Sequence, residues 1–298
     1  MLTNDLYARV TAQIADAVEA GAGTFKMPWR CWGEGSAVPI NAITGTRYSG
    51  INILLLWASC AASGYSSGRW ATYRQWTAAG AQVRKGETAT AIIFWKKGGA
   101  GETSCLQANS QPDADAERYV SRVFSVFNAD QVDGDVGAAE GRSSMPAPLL
   151  PAADGFFASL DLQIAHGGDR SFYDVQADRI RLPHVEQFDS TETYAAVLAH
   201  EVLHWSGADK RLNRELSRRF GTEAYAAEEL IAELGAAFLC ARLGISPEPR
   251  PDHAAYISSW LTLLRSDPRA IMTAASHAQK AVDYLVDLAV SRTGGGDE

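Results

Sequence analysis

The sequence contains no apolar run approaching the ~20 residues that a membrane-crossing helix requires, and no apolar signal core near its start. Both absences lead to the expectation of a cytoplasmic protein with no membrane partner. Cysteine is scarce: Cys31, Cys60, Cys105 and Cys240 are scattered without a CxxC spacing, which argues against a disulfide framework and against a thiolate metal site. No internal repeat is visible, so the repeat architectures are excluded. Acid is short in one region only. The net charge is −8, yet residues 1–97 carry ten Lys and Arg against five Asp and Glu, a balance of +5 that leaves −13 for residues 98–298.

Tryptophan follows the same division. Trp29, Trp32, Trp57, Trp70, Trp76 and Trp95 lie in the basic third, and only Trp205 and Trp260 beyond it. Rings interleaved with cations suit a single-stranded nucleic-acid platform, where bases stack and phosphates are neutralised. The candidates for stacking are Trp29, Tyr48, Trp70 and Tyr73; Arg30, Arg47, Arg74, Arg84 and Lys85 are candidates for phosphates, and Asn41 and Asn52 for base edges or sugars. Burial is the competing reading for Tyr48 and Trp70. Trp57, inside an all-apolar run, and Trp95, among strand residues, are expected in the core.

At 298 residues the chain accommodates two domains. The expected class is α+β: residues 1–135 form an α+β nucleic-acid-binding domain, 136–151 a linker rich in Gly, Ser and Pro, and 152–298 a hydrolase-like domain. In the first unit an amphipathic helix is expected from about Leu2 to Ala20, with Leu6, Val10, Ile14 and Val18 as its stripe. A buried helix is expected to enter from Gly50, and a hairpin to join Ala91–Trp95 to Tyr119–Phe127 across a long polar tip. Val83 to Glu87 reads as a tight turn carrying two cations.

The chemistry resides in His200-Glu201-Val202-Leu203-His204, an HExxH motif. On a helix, positions i and i+4 put both imidazoles on one face, where they can close on one metal ion; the intervening Glu201 is placed to act as general base. Asp189 and Glu192 have the spacing of a capping box, Gly207 supplies a stop, and Ile180-Arg181-Leu182 before Pro183 reads as a strand at a sheet edge. A third ligand is required, and the HExxHxxGxx(H/D) pattern fails because position 210 is Lys. The helical segment Tyr225 to Leu239 offers Glu228, Glu229 and Glu233 instead. Glu229 is the favoured ligand and Glu233, one turn on, a partner that steadies a ligand; Glu228 points about 100° away from Glu229. The alternative is that these acids pair with Arg211, Arg214 or Arg242. His253 and His277 are isolated and read as ordinary polar residues.

With these residues in view, the chain resembles the ArdC antirestriction family, to which primase-associated domains of conjugative plasmids are related. The N-terminal likeness rests on Met27-Pro28-Trp29, Pro39-Ile40-Asn41, Thr44 to Asn52, Trp70 to Gln75 and Gly80 to Glu87; the C-terminal likeness rests on HEVLHWSG, Arg211-Leu212-Asn213-Arg214, Phe220-Gly221 and the Tyr225–Leu239 segment. The resemblance implies a domain binding single-stranded DNA joined to a zincin-like metallopeptidase domain. It also implies protection of incoming conjugative plasmid DNA from host restriction. Its cofactor would be one divalent metal, zinc, with manganese the alternative. Two further functions compete: a regulatory metallopeptidase that cuts a host protein, and a non-enzymatic DNA-binding protein whose metal is structural.

Overall fold

In a computed structural model of the chain, the described residues are 3–22, 38–97, 119–134, 150–214, 223–245 and 254–293. The polar tip, most of the linker, and Trp29 and Arg30 lie outside them.

The N-terminal unit is built on a four-stranded sheet of β1 (Ile40–Asn41), β2 (Arg69–Thr72), β4 (Thr90–Lys97) and β5 (Tyr119–Asn128), in the order β1-β2-β5-β4. The expected hairpin is present: β4 pairs antiparallel with β5 from Thr90↔Val126 to Lys97↔Tyr119. A second, two-stranded sheet joins β3 (Gln82–Val83) to β6 (Val132–Asp133). Helix α2 (Ile51–Ser63) starts at Gly50, whose φ of 56° a side chain would strain, and stops at Gly64 in the left-handed region. Because α2 is apolar all round over its first eight residues except Asn52, it is buried all round there. Leu56 and Cys60 pack with Trp70, Ile92 and Val126 of the sheet, while Ile51, Leu54 and Trp57 join the main core. The short α3 (Tyr73–Ala78) is started by a reciprocal Thr72–Gln75 cap.

Beyond α4 (Leu150–Ser159), a three-stranded sheet has the order β7-β9-β8, with β7 (Ile164–His166), β8 (Phe172–Asp174) and β9 (Arg179–Leu182). The strand expected at an edge, β9, is therefore central. Ile180 and Leu182 are fully buried and both flanks are taken, parallel by β7 and antiparallel by β8. Pro183 ends β9 without requiring an edge. Four helices complete the unit: α5 (Thr191–Ser206), α6 (Glu223–Leu243), α7 (Ala254–Ser266) and α8 (Ala270–Thr293). The N-cap of α5 is Ser190 rather than Asp189: its Oγ accepts the Thr193 N–H at 3.1 Å, which leaves Glu192 in the first turn opposite the helix dipole. Gly207 does end the helix, in a right-handed conformation.

One hydrophobic core crosses the two units. Helix α1 (Thr3–Ala22) buries Val10, Ile14 and Val18 in it and packs along α7, and Thr11 Oγ1 donates to the Pro268 carbonyl, between α7 and α8, at 2.6 Å. The Trp57 ring, core as expected, lies 6.0 Å from that of Phe238 on α6, and the Gly50 N–H donates to Gln279 Oε1 on α8.

Candidate metal centre

Helix α5 presents His200 and His204 on one face, with ring centroids 4.9 Å apart, and α6 lies across that face. The two Nε2 atoms are 3.2 Å apart; Glu229 brings Oε2 to 3.6 Å from His200 Nε2 and Oε1 to 3.6 Å from His204 Nε2. An ion held tetrahedrally at about 2.0–2.1 Å needs ligand atoms about 3.3 Å from one another, so this triad fits one. It is the single His/Cys/Asp/Glu group among the described residues whose ligand atoms converge in this way.

The electrostatics favour a cation. Burial alone would lower His200, but Glu229, Glu233 and Glu201 carry its imidazole up to about 10. Burial would raise Glu229, yet the two imidazoles and a hydrogen bond from Tyr225 bring its carboxyl down to about 2. Glu201 is only 5% exposed and leaves the helix beside these rings.

Behind the rings stand the other two acids of α6. Glu233 Oε2 is 3.7 Å from His200 Nδ1, beyond hydrogen-bond range. Glu228 is the closer partner, its Oε1 lying 3.2 Å from His204 Nδ1. The rotation of about 100° that separates Glu228 from Glu229 does not remove it from the site, because His204 offers a nitrogen on either side of its ring. Glu228 also pairs with Arg214, the alternative considered for these acids. Glu228 thus serves His204 and Arg214 at once, and sequence spacing carries no signal of it. Close packing sets the α5–α6 distance: a Cβ on Gly235 would stand 2.4 Å from Leu203 Cδ1.

The segment after α5 is anchored to the small sheet. The Arg211 guanidinium lies 3.9 Å over the Trp205 ring and pairs with Asp178, which also receives Lys210 Nζ at 2.7 Å and the Tyr173 hydroxyl at 2.6 Å.

The nucleic-acid candidates divide by burial. Trp70 is fully buried and Tyr48 is 7% exposed, both in the core between the sheet and α2, so neither ring can stack on a base. Asn52 is also withdrawn: it spends its amide on the edge of β4, donating to the Ile93 carbonyl and accepting the Ile93 N–H, each at 2.8 Å. Arg84 is bound to Glu87, Asp133 and the Asp130 carbonyl, which ties it to the β3–β6 sheet rather than freeing it for phosphate. Asn41 is a scaffold residue. Its Oδ1 accepts from the Ile43 and Thr44 amides, and its Nδ2 donates to Gln75 Oε1 at 3.2 Å. This network sets the 43–46 turn beside α3. Arg47, Tyr73, Arg74 and Lys85 remain exposed around that turn and α3–β3, where Tyr73 OH accepts from Gln82. No carboxylate side chain occurs between Glu34 and Glu87, whereas five cations do.

Fold and site together define a zincin-like metallopeptidase unit preceded by a second domain. Residues 151–277 match the zincin-like metallopeptidase family, and residues 4–127 match the N-terminal domain of the anti-restriction factor ArdC. The chain belongs to the ArdC antirestriction family. It is similar to the antirestriction protein ArdC of plasmid R388, whose metal-free crystal structure superposes with a TM-score of 0.77 at 36% identity, over 96% of this chain and 98% of that one. The Mn(II)-bound crystal structure of the same protein gives 0.74 at 35% identity, over 98% and 99%. The uncharacterized protein y4eC of Sinorhizobium fredii (strain NBRC 101917 / NGR234) is 45% identical over 287 residues, covering 94% of this chain and 91% of that protein. A DNA primase TraC of Escherichia coli is 38% identical over 290 residues; 93% of this chain is aligned, but only 27% of the primase.

Proposed function

We propose that this protein shields incoming single-stranded plasmid DNA from host restriction and carries a metal-dependent peptidase centre, acting in the cytoplasm. The observation that supports it most directly is the convergence of His200, His204 and Glu229 on one point, with the buried Glu201 acting electrostatically on His200. Two imidazoles and a carboxylate are a donor set suited to zinc; the Mn(II) in the R388 relative keeps manganese as the alternative. When bound, the ion supplies Lewis-acid polarisation of a carbonyl and acidification of water. Glu201 accepts the proton of the attacking water and passes it to the leaving amine. A peptide bond is the substrate class this chemistry serves. DNA is held by the exposed surface around the 43–46 turn and α3–β3, with Tyr73 stacking and Arg47, Arg74 and Lys85 meeting phosphates.

The test is a restriction challenge of incoming plasmid DNA in cells carrying the full-length protein, Glu201→Ala, or Arg47→Glu/Arg74→Glu/Lys85→Glu. Loss of protection with the triple variant alone assigns protection to DNA binding, and loss with Glu201→Ala assigns it to proteolysis. Protection retained by both variants overturns the reading.

A further inference from the structure

We propose that Glu228 and Arg214 act as a positioning pair that fixes the ring of His204, holding the proton on Nδ1 and turning Nε2 towards the ion; this rests on the metal centre proposed above. The ring is engaged at both nitrogens. Nε2 lies 3.2 Å from His200 Nε2 and 3.6 Å from Glu229 Oε1, whereas Nδ1 lies 3.2 Å from Glu228 Oε1. An anionic acceptor at Nδ1 selects the tautomer with its N–H there, leaving the Nε2 lone pair for the metal.

Glu228 is itself held. Arg214 Nη2 donates to its Oε1 at 2.9 Å and Nε to its Oε2 at 3.1 Å, a two-bond grip that a lysine could not make. The remaining donors of Arg214 fasten it to the end of the metal helix. Nη2 reaches the Leu203 carbonyl at 2.6 Å, Nη1 reaches Ser206 Oγ at 3.1 Å, and the backbone N–H donates to the Gly207 carbonyl at 2.8 Å. Leu203 O belongs to the last turn of α5, where carbonyls lack helical partners and the dipole is negative, so the same cation both caps α5 and orients the acid facing it.

Both side chains are buried, at 8% exposure for Arg214 and 5% for Glu228. A buried ion pair contributes little net stability compared with apolar residues of the same size, so stability is a poor account of its presence. A role in aiming a ligand explains why the carboxylate, gripped through both oxygens by the guanidinium, also turns Oε1 to an imidazole. Glu228, Glu229 and Glu233 thereby give α6 three distinct positions around the two rings.

The decisive measurement uses the full chain loaded with zinc. Nitrogen NMR of the wild-type histidines should show His204 metallated at Nε2 and protonated at Nδ1; a zinc-loaded His204 protonated at Nε2 overturns the proposal. Glu228→Gln and the charge-free pair Glu228→Gln/Arg214→Met are then compared with wild type by chelator competition and by the visible spectrum of the Co(II) form. A loss of metal affinity of about 10–100-fold with an altered Co(II) spectrum is expected for each folded variant. Wild-type affinity and spectrum in either variant, judged folded by circular dichroism, overturn it. His204→Ala, run in parallel, separates the two readings. If it binds zinc as tightly as wild type, the metal centre itself is misassigned; if it loses zinc while Glu228→Gln does not, only the positioning role fails.

Discussion

Gly235 on α6 faces Leu203 on α5 so closely that a methyl group on its Cα would stand 2.4 Å from Leu203 Cδ1 and 2.7 Å from Cγ. Leu203 precedes His204 directly, so this approach sets the distance from which Glu229 meets the two imidazoles. Gly235→Ala should destabilise the protein by about 1–3 kcal/mol, as overpacking does, and weaken metal binding as well. Trimming the opposing side chain in Gly235→Ala/Leu203→Ala should restore part of the affinity, because the two sites touch and couple. Thermal melts and chelator competition on the three variants check this.

Acid should loosen the link between α5 and the small sheet. Burial pushes the Asp178 carboxyl up, but hydrogen bonds from Arg211, Lys210 and Tyr173 outweigh it and hold the group well below the usual carboxylate range. Tyr173 is pushed up to about 12, by burial first and then by that carboxylate. A depressed carboxyl contributes stability that is full above its unfolded value, about 3.9, and is lost as pH falls from there through the folded value. Asp178→Asn should therefore lower Tm at neutral pH, with the gap from wild type narrowing below about pH 4. A gap that stays constant down to pH 3 would contradict the assignment.

At the metal centre, Glu201 and His204 should separate cleanly. Elemental analysis after dialysis should find Glu201→Ala still holding its ion and inactive towards any protein the wild type cleaves, whereas His204→Ala should hold none. Full occupancy in His204→Ala would remove the imidazole from the ligand set.

For DNA, charge and burial predict opposite kinds of failure. Reversing Arg47, Arg74 and Lys85 should leave folding intact and flatten the salt dependence of oligonucleotide binding, by about 0.7 in log–log slope for each single-strand phosphate left without its cation. Trp70→Ala should instead cost about 3–5 kcal/mol and abolish binding only through unfolding. An unchanged slope in the charge-reversed protein would place the DNA elsewhere.

The hairpin, the buried helix after Gly50 and the HExxH helix were legible in the sequence because each has a local signature: alternation, an unbroken apolar run, a motif at helical spacing. Trp70 and Asn52 were misleading because a ring and an amide serve a core or a strand edge as readily as a nucleotide, and only the fold says what faces them. The central position of β9 depends on two partners whose three-residue lengths leave too little pattern to read. Ser190 displaced Asp189 as the cap by one residue, within the ordinary ambiguity of helix ends. Arg214 and Glu228 meet only once α6 has folded back on α5, an arrangement that no spacing rule encodes.

The packing of α1 has a consequence for how this chain can be divided. The first helix of the sequence lies on α7 rather than on the sheet that follows it, with Arg265 reaching Glu19 at 2.7 Å and Thr11 tied to Pro268. Cutting the polypeptide between its halves would strip an apolar stripe from each fragment and leave both prone to aggregate. Both halves align together, over 290 residues, with a primase several times longer, as a shared core would favour.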